Sequence, residues 1–119
     1  MILFVGDQPS SANLSPYTAF VGTKSHATLR NWLVAMGIDE AQTVLINRTN
    51  VNFKYVVEQF TLSGWPIIAL GREASKALAG LDALYYGLPH PSGRNRLLND
   101  KVLIAKKLAA CKAYINGKE

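Results

Sequence analysis

The strongest constraint on the fold of this chain is an alternation of short apolar runs with longer stretches whose apolar residues recur at helical spacing. The apolar runs have the length of buried strands, and they predict strands at 2–5, 43–46, 65–70 and 83–86. The other stretches predict helices at 26–36, 52–64, 72–78 and 100–116. Strands that alternate with helices are typical of parallel sheets covered by helices. We therefore predict a single three-layer α/β/α domain over residues 1–119, with a mainly parallel four-stranded sheet.

Residues that begin or end helices support these boundaries. Ser25 is a favourable N-cap for the first helix, which should end at Gly37. Asn99 is the predicted N-cap of the last helix, and Gly117 is its predicted stop. Pro66 lies near the start of the third strand, where proline is tolerated.

The composition is compatible with a stable core and favours an anionic partner. Hydrophobic residues make up 49% of the 119 residues, enough for a core without disulfides or metals. Thirteen Lys and Arg against eight Asp and Glu give a net charge of +5 and a pI near 9.5. Nucleic acid is the commonest partner of such a chain. A basic surface that only maintains solubility is the alternative.

The single cysteine, Cys111, excludes an intramolecular disulfide and any all-cysteine metal or iron–sulfur site. It lies in an apolar helical stretch, which predicts a buried structural thiol. We expect no cofactor and no metal. The apolar residues 1–5 carry no basic leader, and no run reaches transmembrane length. We therefore expect a soluble cytoplasmic protein that does not engage membranes.

Polar segments follow each predicted strand at its carboxyl end. These segments are residues 6–10, 47–50, 71–72 and 90–96. In parallel α/β sheets, ligands bind in the crevice outside the carboxyl ends of the strands. The pattern predicts a binding site at this edge of the sheet, and it names no reaction.

Three of these segments, together with Phe20-Val21-Gly22, resemble motifs of the uracil-DNA glycosylase superfamily. Gly6-Asp7-Gln8-Pro9-Ser10 resembles its first motif, a Gly-x-x-Pro-small turn after the first strand. The segment 90–96, His-Pro-Ser-Gly-Arg-Asn-Arg, is similar to the second motif and combines features of the uracil and mismatch-specific branches. Phe20-Val21-Gly22 resembles the Phe-Val-Gly of the iron–sulfur branch, and Asn47 stands where a strand-end asparagine reads the base. The motifs occur in the family's order over residues 1–96.

The resemblance implies a monofunctional DNA glycosylase of base excision repair. Such an enzyme flips uracil or a related pyrimidine out of DNA and hydrolyses its N-glycosidic bond. The implied partner is single- or double-stranded DNA, and the implied state is a monomer. The implied site residues are Asp7 and His90 for catalysis, Gly6, Gln8, Phe20 and Asn47 for base binding, and Ser10, Ser92, Gly93, Arg94, Asn95 and Arg96 for DNA binding.

These residue types suit the implied reaction. The Asn47 amide can pair with the O4 and N3–H of uracil, as donor and as acceptor. His90 can donate a hydrogen bond to the base O2 while negative charge grows there, an effect worth ~10²–10³ in rate. Asp7 can orient water or stabilise the sugar cation, as carboxylates do in O-glycoside cleavage. Phe20 can stack on the extruded base. Each also has a structural alternative: a cap for Asn47, an Asx-turn for Asp7, a turn histidine for His90 and a core side chain for Phe20.

Several positions depart from the family's pattern. The iron–sulfur branch has Glu where this chain has Asp7, and the uracil-specific branch has its Asp one place later, at Gln8. The uracil-specific branch also has a tyrosine where this chain has Ser10, so 5-substituted uracils should fit.

Arg94 and Arg96 each occupy a place where some branch inserts a wedge into the duplex. With Lys24, Arg48 and Arg72, they suggest a basic rim around the crevice.

Two other functions are compatible with the sequence. One is a non-catalytic module that binds nucleic acid or a protein on the same scaffold. The other is a hydrolase or transferase of free nucleosides or nucleotides. The chain has no Gly-x-x-x-x-Gly-Lys-Ser/Thr loop, which argues against an NTPase.

Overall fold

A four-stranded parallel sheet forms the centre of the structure, a computed structural model that describes residues 1–7, 24–91 and 99–118, apart from the side chains of residues 24, 25 and 118. The strands are β1 (Ile2–Gly6), β2 (Thr43–Asn47), β3 (Ile67–Leu70) and β4 (Tyr86–Leu88). The helices are α1 (Lys24–Met36), α2 (Phe53–Ser63), α3 (Arg72–Gly80) and α4 (Lys101–Lys118). The predicted α/β architecture is confirmed.

The strands lie in the order β2-β1-β3-β4, and every neighbouring pair is parallel. The register pairs Gly6 with Asn47 and Leu70 with Leu88, so the last residues of neighbouring strands lie side by side. Because all four strands run in one direction, the segments that follow them emerge at the same edge of the sheet.

Helices cover both faces of the sheet, which gives the three predicted layers. Ile2 and Phe4 of β1 point into one core cluster together with residues of α1 and α4. Leu3 and Val5 point into a second cluster together with residues of α2 and α3. β1 is thus buried on both faces, which explains its continuous apolar sequence. Full burial of each such side chain contributes about 1.5–3 kcal/mol to stability.

Cys111 lies fully buried in the cluster between α4 and the sheet, as predicted. Burial raises the pKa of its thiol to about 12. The neutral thiol therefore acts as a small apolar core group. Of the helices in the described ranges, none combines the length and the apolar character needed to cross a membrane.

The fourth strand begins three residues later than predicted. The chain leaves α3 in a helical turn, in which Ala83 N donates to Leu78 O and Asp82 takes a φ of 54°. Leu84, which was predicted to be a buried strand residue, is 72% exposed. Pairing with β3 begins only at Tyr86. The apolar run 83–86 therefore belongs mainly to the connection that precedes the strand.

Two predicted helix caps were also wrong. α4 is capped by Asp100, whose Oδ1 accepts a hydrogen bond from Leu103 N at 3.0 Å, and not by Asn99. α1 begins at Lys24, so Ser25 lies inside the helix. The carboxylate of Asp100 is favoured at this position because it carries negative charge at the positive end of the helix dipole.

Candidate active site

Polar side chains from the ends of β1, β2 and β4 lie at the carboxyl edge of the sheet. A glycine follows the end of β3. Asp7 follows β1, Asn47 ends β2 and Arg48 follows it. Gly71 follows β3, and His90 comes two residues after β4. The described residues of the predicted site therefore share one edge, as the sequence predicted for the strand ends.

Asn47 is the single buried polar residue of the described core, with 1% of its surface exposed. Neither its Oδ1 nor its Nδ2 has a hydrogen-bond partner within residues 1–7, 24–91 and 99–118. The structural alternative for Asn47, a capping role for its side chain, is therefore wrong. Since an unsatisfied buried polar group costs about 1–3 kcal/mol, such groups in native proteins require an explanation, and a ligand-binding role is one.

The backbone around Asn47 holds its side chain at the strand end. Asn47 lies beside Gly6 in the parallel register of β1 and β2. The next residue, Arg48, donates its backbone N–H to Gly6 O at 3.0 Å, and Asn47 O accepts from Asn50 N at 3.0 Å. The carbonyl of Gly6, a predicted base-binding residue, is therefore engaged in extending this pairing.

Asp7 and Arg48 form an ion pair across the ends of β1 and β2. Arg48 Nε donates to Asp7 Oδ1 at 2.5 Å, and the side chains are 33% and 32% exposed. The sequence placed Arg48 only on a basic rim and missed this contact. Pairing the two predicted strands as parallel neighbours would have indicated this contact, because the residues that follow two paired strand ends lie next to each other.

His90 packs directly against the glycine that follows β3. Gly71 has a φ of 96°, and a Cβ at this position would lie 2.9 Å from His90 Cβ. Gly71 N also donates to Leu88 O at 2.8 Å, which ties the end of β3 to β4. The absence of a side chain at Gly71 allows His90 to lie over the sheet edge.

Burial and the Asp7 carboxylate act in opposite directions on His90. Burial lowers the pKa of the His90 imidazole below its ordinary value of 6.5, and the negative charge of Asp7 partly offsets this by raising it. The net shift is downward, so His90 is mainly neutral at pH 7. A neutral imidazole offers one N–H donor and one nitrogen acceptor.

A groove of about 390 Å³ opens beside His90, between α3, β4 and α4. Arg72 and Lys107 line it together with His90, so its walls are basic. Two other grooves, of about 430 and 320 Å³, lie along α1 and α2 and contain none of the predicted site residues. Of these three grooves, the basic one beside His90 is the one that a predicted site residue lines.

Most of the predicted DNA-contacting residues lie outside the described part of the chain. These are Gln8, Ser10, Phe20, Ser92, Gly93, Arg94, Asn95 and Arg96. Within the described ranges, no cluster of three or more His, Cys, Asp and Glu side chains is arranged to hold a metal ion.

The described groups at the sheet edge provide one buried amide, one carboxylate and one imidazole, with an arginine bonded to the carboxylate. This set can recognise a planar heterocycle by its edge and can stabilise charges of both signs beside it. A comparison with protein-family models and a comparison with curated proteins both give no match.

Proposed function

We propose that the protein is a monofunctional DNA glycosylase that hydrolyses the N-glycosidic bond of uracil or a related pyrimidine in DNA. The observation that carries the proposal is the buried, unpartnered amide of Asn47 at the sheet edge. An amide presents a donor and an acceptor side by side, which complements the O4 and N3–H edge of uracil. A base bound against this amide would give both atoms a hydrogen-bond partner and would offset the cost of burying them.

The neighbouring groups support the bond-breaking step of this proposal. Cleavage of the bond between sugar C1′ and base N1 leaves the electron pair on the base and cationic character on the sugar. His90, neutral at pH 7, donates a hydrogen bond to the base O2 as the charge grows. The Asp7 carboxylate stabilises the sugar cation, and water adds to C1′ and releases a proton.

The groove beside His90 supports the choice of DNA over a free nucleoside. Arg72 and Lys107 provide positive charge next to the pocket, where backbone phosphates flanking a flipped nucleotide would lie. A free nucleoside has no phosphate for these cations. The proposal includes action as a monomer on DNA in the cytoplasm.

A non-catalytic module that binds nucleic acid is the second candidate, and the Asp7–Arg48 ion pair favours it. Arg48 already occupies one oxygen of the Asp7 carboxylate, so a single oxygen is left to hold an attacking water. Such a protein would bind the base through Asn47 without cutting its glycosidic bond.

Cleavage assays distinguish the two candidates. Labelled oligonucleotides that carry uracil, a mismatched thymine, 5-hydroxymethyluracil or hypoxanthine are incubated with the protein, and abasic sites are revealed with alkali. We expect cleavage of at least one pyrimidine substrate, and a loss of at least ~10²-fold in single-turnover rate for Asp7→Asn or His90→Ala with little change in DNA affinity.

Asp82→Asn is the matched control for Asp7→Asn, because Asp82 is an exposed carboxylate in the turn after α3. This control should cut at the wild-type rate. If wild type binds the oligonucleotides and cuts none, the non-catalytic module is correct. If both site variants cut at the wild-type rate, the catalytic groups lie elsewhere.

A further inference from the structure

We propose that Arg48 is a positioning residue of the candidate site, which holds the Asp7 carboxylate in one orientation and offsets the charge that this carboxylate exerts on His90. The catalytic meaning of this arrangement rests on the proposed function. The arrangement itself is a property of the folded protein and is measurable without DNA.

Arg48 is attached to the end of β1 through both its backbone and its side chain. Its backbone N–H donates to Gly6 O at 3.0 Å, and its Nε donates to Asp7 Oδ1 at 2.5 Å. The backbone contact to Gly6 fixes Arg48 beside the end of β1, and its side-chain contact limits the rotation of the Asp7 side chain. Since Oδ1 is occupied by Arg48, Oδ2 is the oxygen that Asp7 directs to a substrate or a water.

The ion pair between Asp7 and Arg48 is partly shielded from solvent. The two side chains are 33% and 32% exposed, so solvent screens them less than it screens a fully exposed pair.

Within the described residues, three charged groups act on His90 or line its groove, and a fourth is bonded to one of them. Asp7 acts on it from the end of β1, and Arg48 is bonded to Asp7. Arg72 at the start of α3 and Lys107 on α4 line the groove that His90 also lines. Asp7 is thus the one negative charge among these groups, and Arg48 is the cation bonded to it.

The consequence for the proposed reaction is that Asp7 and His90 do not form an ion pair with each other. A protonated His90 would pair with Asp7 and take up the negative charge that stabilises the sugar cation. Burial of the imidazole is the main cause that lowers the pKa of His90. By offsetting Asp7, Arg48 acts in the same direction, and it keeps the carboxylate in place at the same time.

An NMR titration of the His90 imidazole in four proteins tests this inference: wild type, Arg48→Met, Asp7→Asn and the double variant. Arg48→Met should raise the pKa of His90 by roughly 0.5–1 unit, less than the ~1–3 units caused by a close buried charge. Asp7→Asn should lower it. In the Asp7→Asn background, Arg48→Met should have a clearly smaller effect, because the carboxylate that Arg48 offsets is gone. The His26 resonances, from α1, are the internal reference and should not differ between the variants.

Arg48→Lys is the conservative variant, because it keeps the charge and loses the fixed geometry of the guanidinium. It should return the His90 titration to within about 0.3 unit of wild type while leaving the cleavage rate below wild type. If Arg48→Met fails to fold, Arg48→Gln, which also removes the charge and keeps a polar side chain, replaces it in the same titration. An unchanged His90 titration in Arg48→Met, or an equal shift with and without the Asp7 charge, would overturn the inference.

Cleavage assays then separate this inference from the proposed function. If the protein is a glycosylase, the acidic limb of its pH–rate profile should move upward in Arg48→Met by the same amount as the His90 titration. If the titrations follow the expected pattern and no protein cuts DNA, the proposed function fails and the role of Arg48 toward Asp7 and His90 stands.

Discussion

A buried side-chain amide normally finds hydrogen-bond partners, because a dry, unpaired donor or acceptor costs about 1–3 kcal/mol. Asn47 has none within the described residues and is 1% exposed. An apolar side chain at this position would be better for folding alone. On the proposed function, stability and ligand binding make opposite demands on this residue, which is a common property of functional sites.

The first prediction follows from this conflict. Asn47→Leu keeps the branching at Cγ and removes the unpaired amide, so the free energy of unfolding should stay equal or rise by up to ~3 kcal/mol. Cleavage or binding of uracil-containing DNA should fall by at least ~10-fold, since the polar edge of the base loses its partner. Denaturant unfolding and the oligonucleotide assay measure the two effects. Asn31→Leu, an exposed position on α1, should leave DNA cleavage and binding unchanged. A large loss of stability in Asn47→Leu would show that the amide has a structural partner.

The second prediction concerns His90 and pH. Because burial lowers the pKa of His90 in the folded protein, the unfolded chain binds more protons between that pKa and about 6.5. The free energy of unfolding should therefore rise with pH through this window and fall as the solution is acidified. Urea unfolding between pH 5 and pH 8 measures this, and His90→Gln should flatten this part of the curve. An identical pH dependence in His90→Gln would assign the effect to other groups.

At the scale of the elements, the junction of β3 and α3 combines two requirements in one residue. Gly71 has φ 96° and ψ 176°, a conformation that is essentially restricted to glycine. It also lies against His90, so a side chain would displace the imidazole. The local conformation of this junction and the position of His90 are thus coupled.

The third prediction tests this coupling. Gly71→Ala should lower the free energy of unfolding by about 1–3 kcal/mol and should change the NMR signals of His90. Gly87→Ala is the matched control, because a Cβ there would meet only Ser75 Oγ, at an ordinary 3.6 Å. The control should be close to neutral in both measurements. Equal effects of the two substitutions would remove the argument for a special role of Gly71.

The fourth prediction concerns the N-terminus of α4. Asp100 Oδ1 accepts from Leu103 N, and loss of such a cap costs about 0.5–2 kcal/mol. Asp100→Ala should therefore lower the free energy of unfolding by this amount. Asn99→Ala, at the position that the sequence favoured, should change it much less. Thermal or denaturant unfolding of the two variants decides between the neighbouring caps.

At the scale of the whole molecule, part of the positive charge behind the net +5 lies next to the candidate site. Lys107 on α4 lines the basic groove next to His90, whereas Lys54 on α2 lies on the other face of the sheet. The two lysines therefore differ in their relation to the candidate site. A nucleic acid bound at the strand ends should contact the first and not the second.

The fifth prediction uses this difference. DNA affinity should fall as salt rises, with a slope of roughly −0.7 to −0.9 per neutralised phosphate, and Lys107→Ala should reduce that slope by about one phosphate. Lys54→Ala is the control and should leave the slope unchanged. Binding isotherms at several salt concentrations measure both. Equal slopes for wild type and Lys107→Ala would exclude the groove as a path for the DNA backbone.

The local sequence was sufficient for most of the architecture. Continuous apolar runs predicted the bounds of β1, β2 and β3 to within two residues. This was possible because strands with helices on both faces have near-continuous apolar sequences. The polar segments after the strands were correctly expected at one edge, since parallel strands end on the same side. The resemblance to the glycosylase superfamily then singled out Asp7, Asn47 and His90 among these segments as candidate site residues. Apart from Gly6 at the end of β1, the remaining predicted site residues lie outside the described ranges, and all of the proposed roles stay predictions.

The details that decide the chemistry depend on contacts between distant parts of the chain. β4 begins at Tyr86 because pairing with β3 begins there, and the apolar sequence around Leu84 does not reveal it. The bond between Asp7 and Arg48 joins residues 41 positions apart through the register of two strands. The neutral state of His90 and the unsatisfied amide of Asn47 result from burial by several elements at once. Register and burial are set by long-range packing, which the periodicity of a single segment does not record.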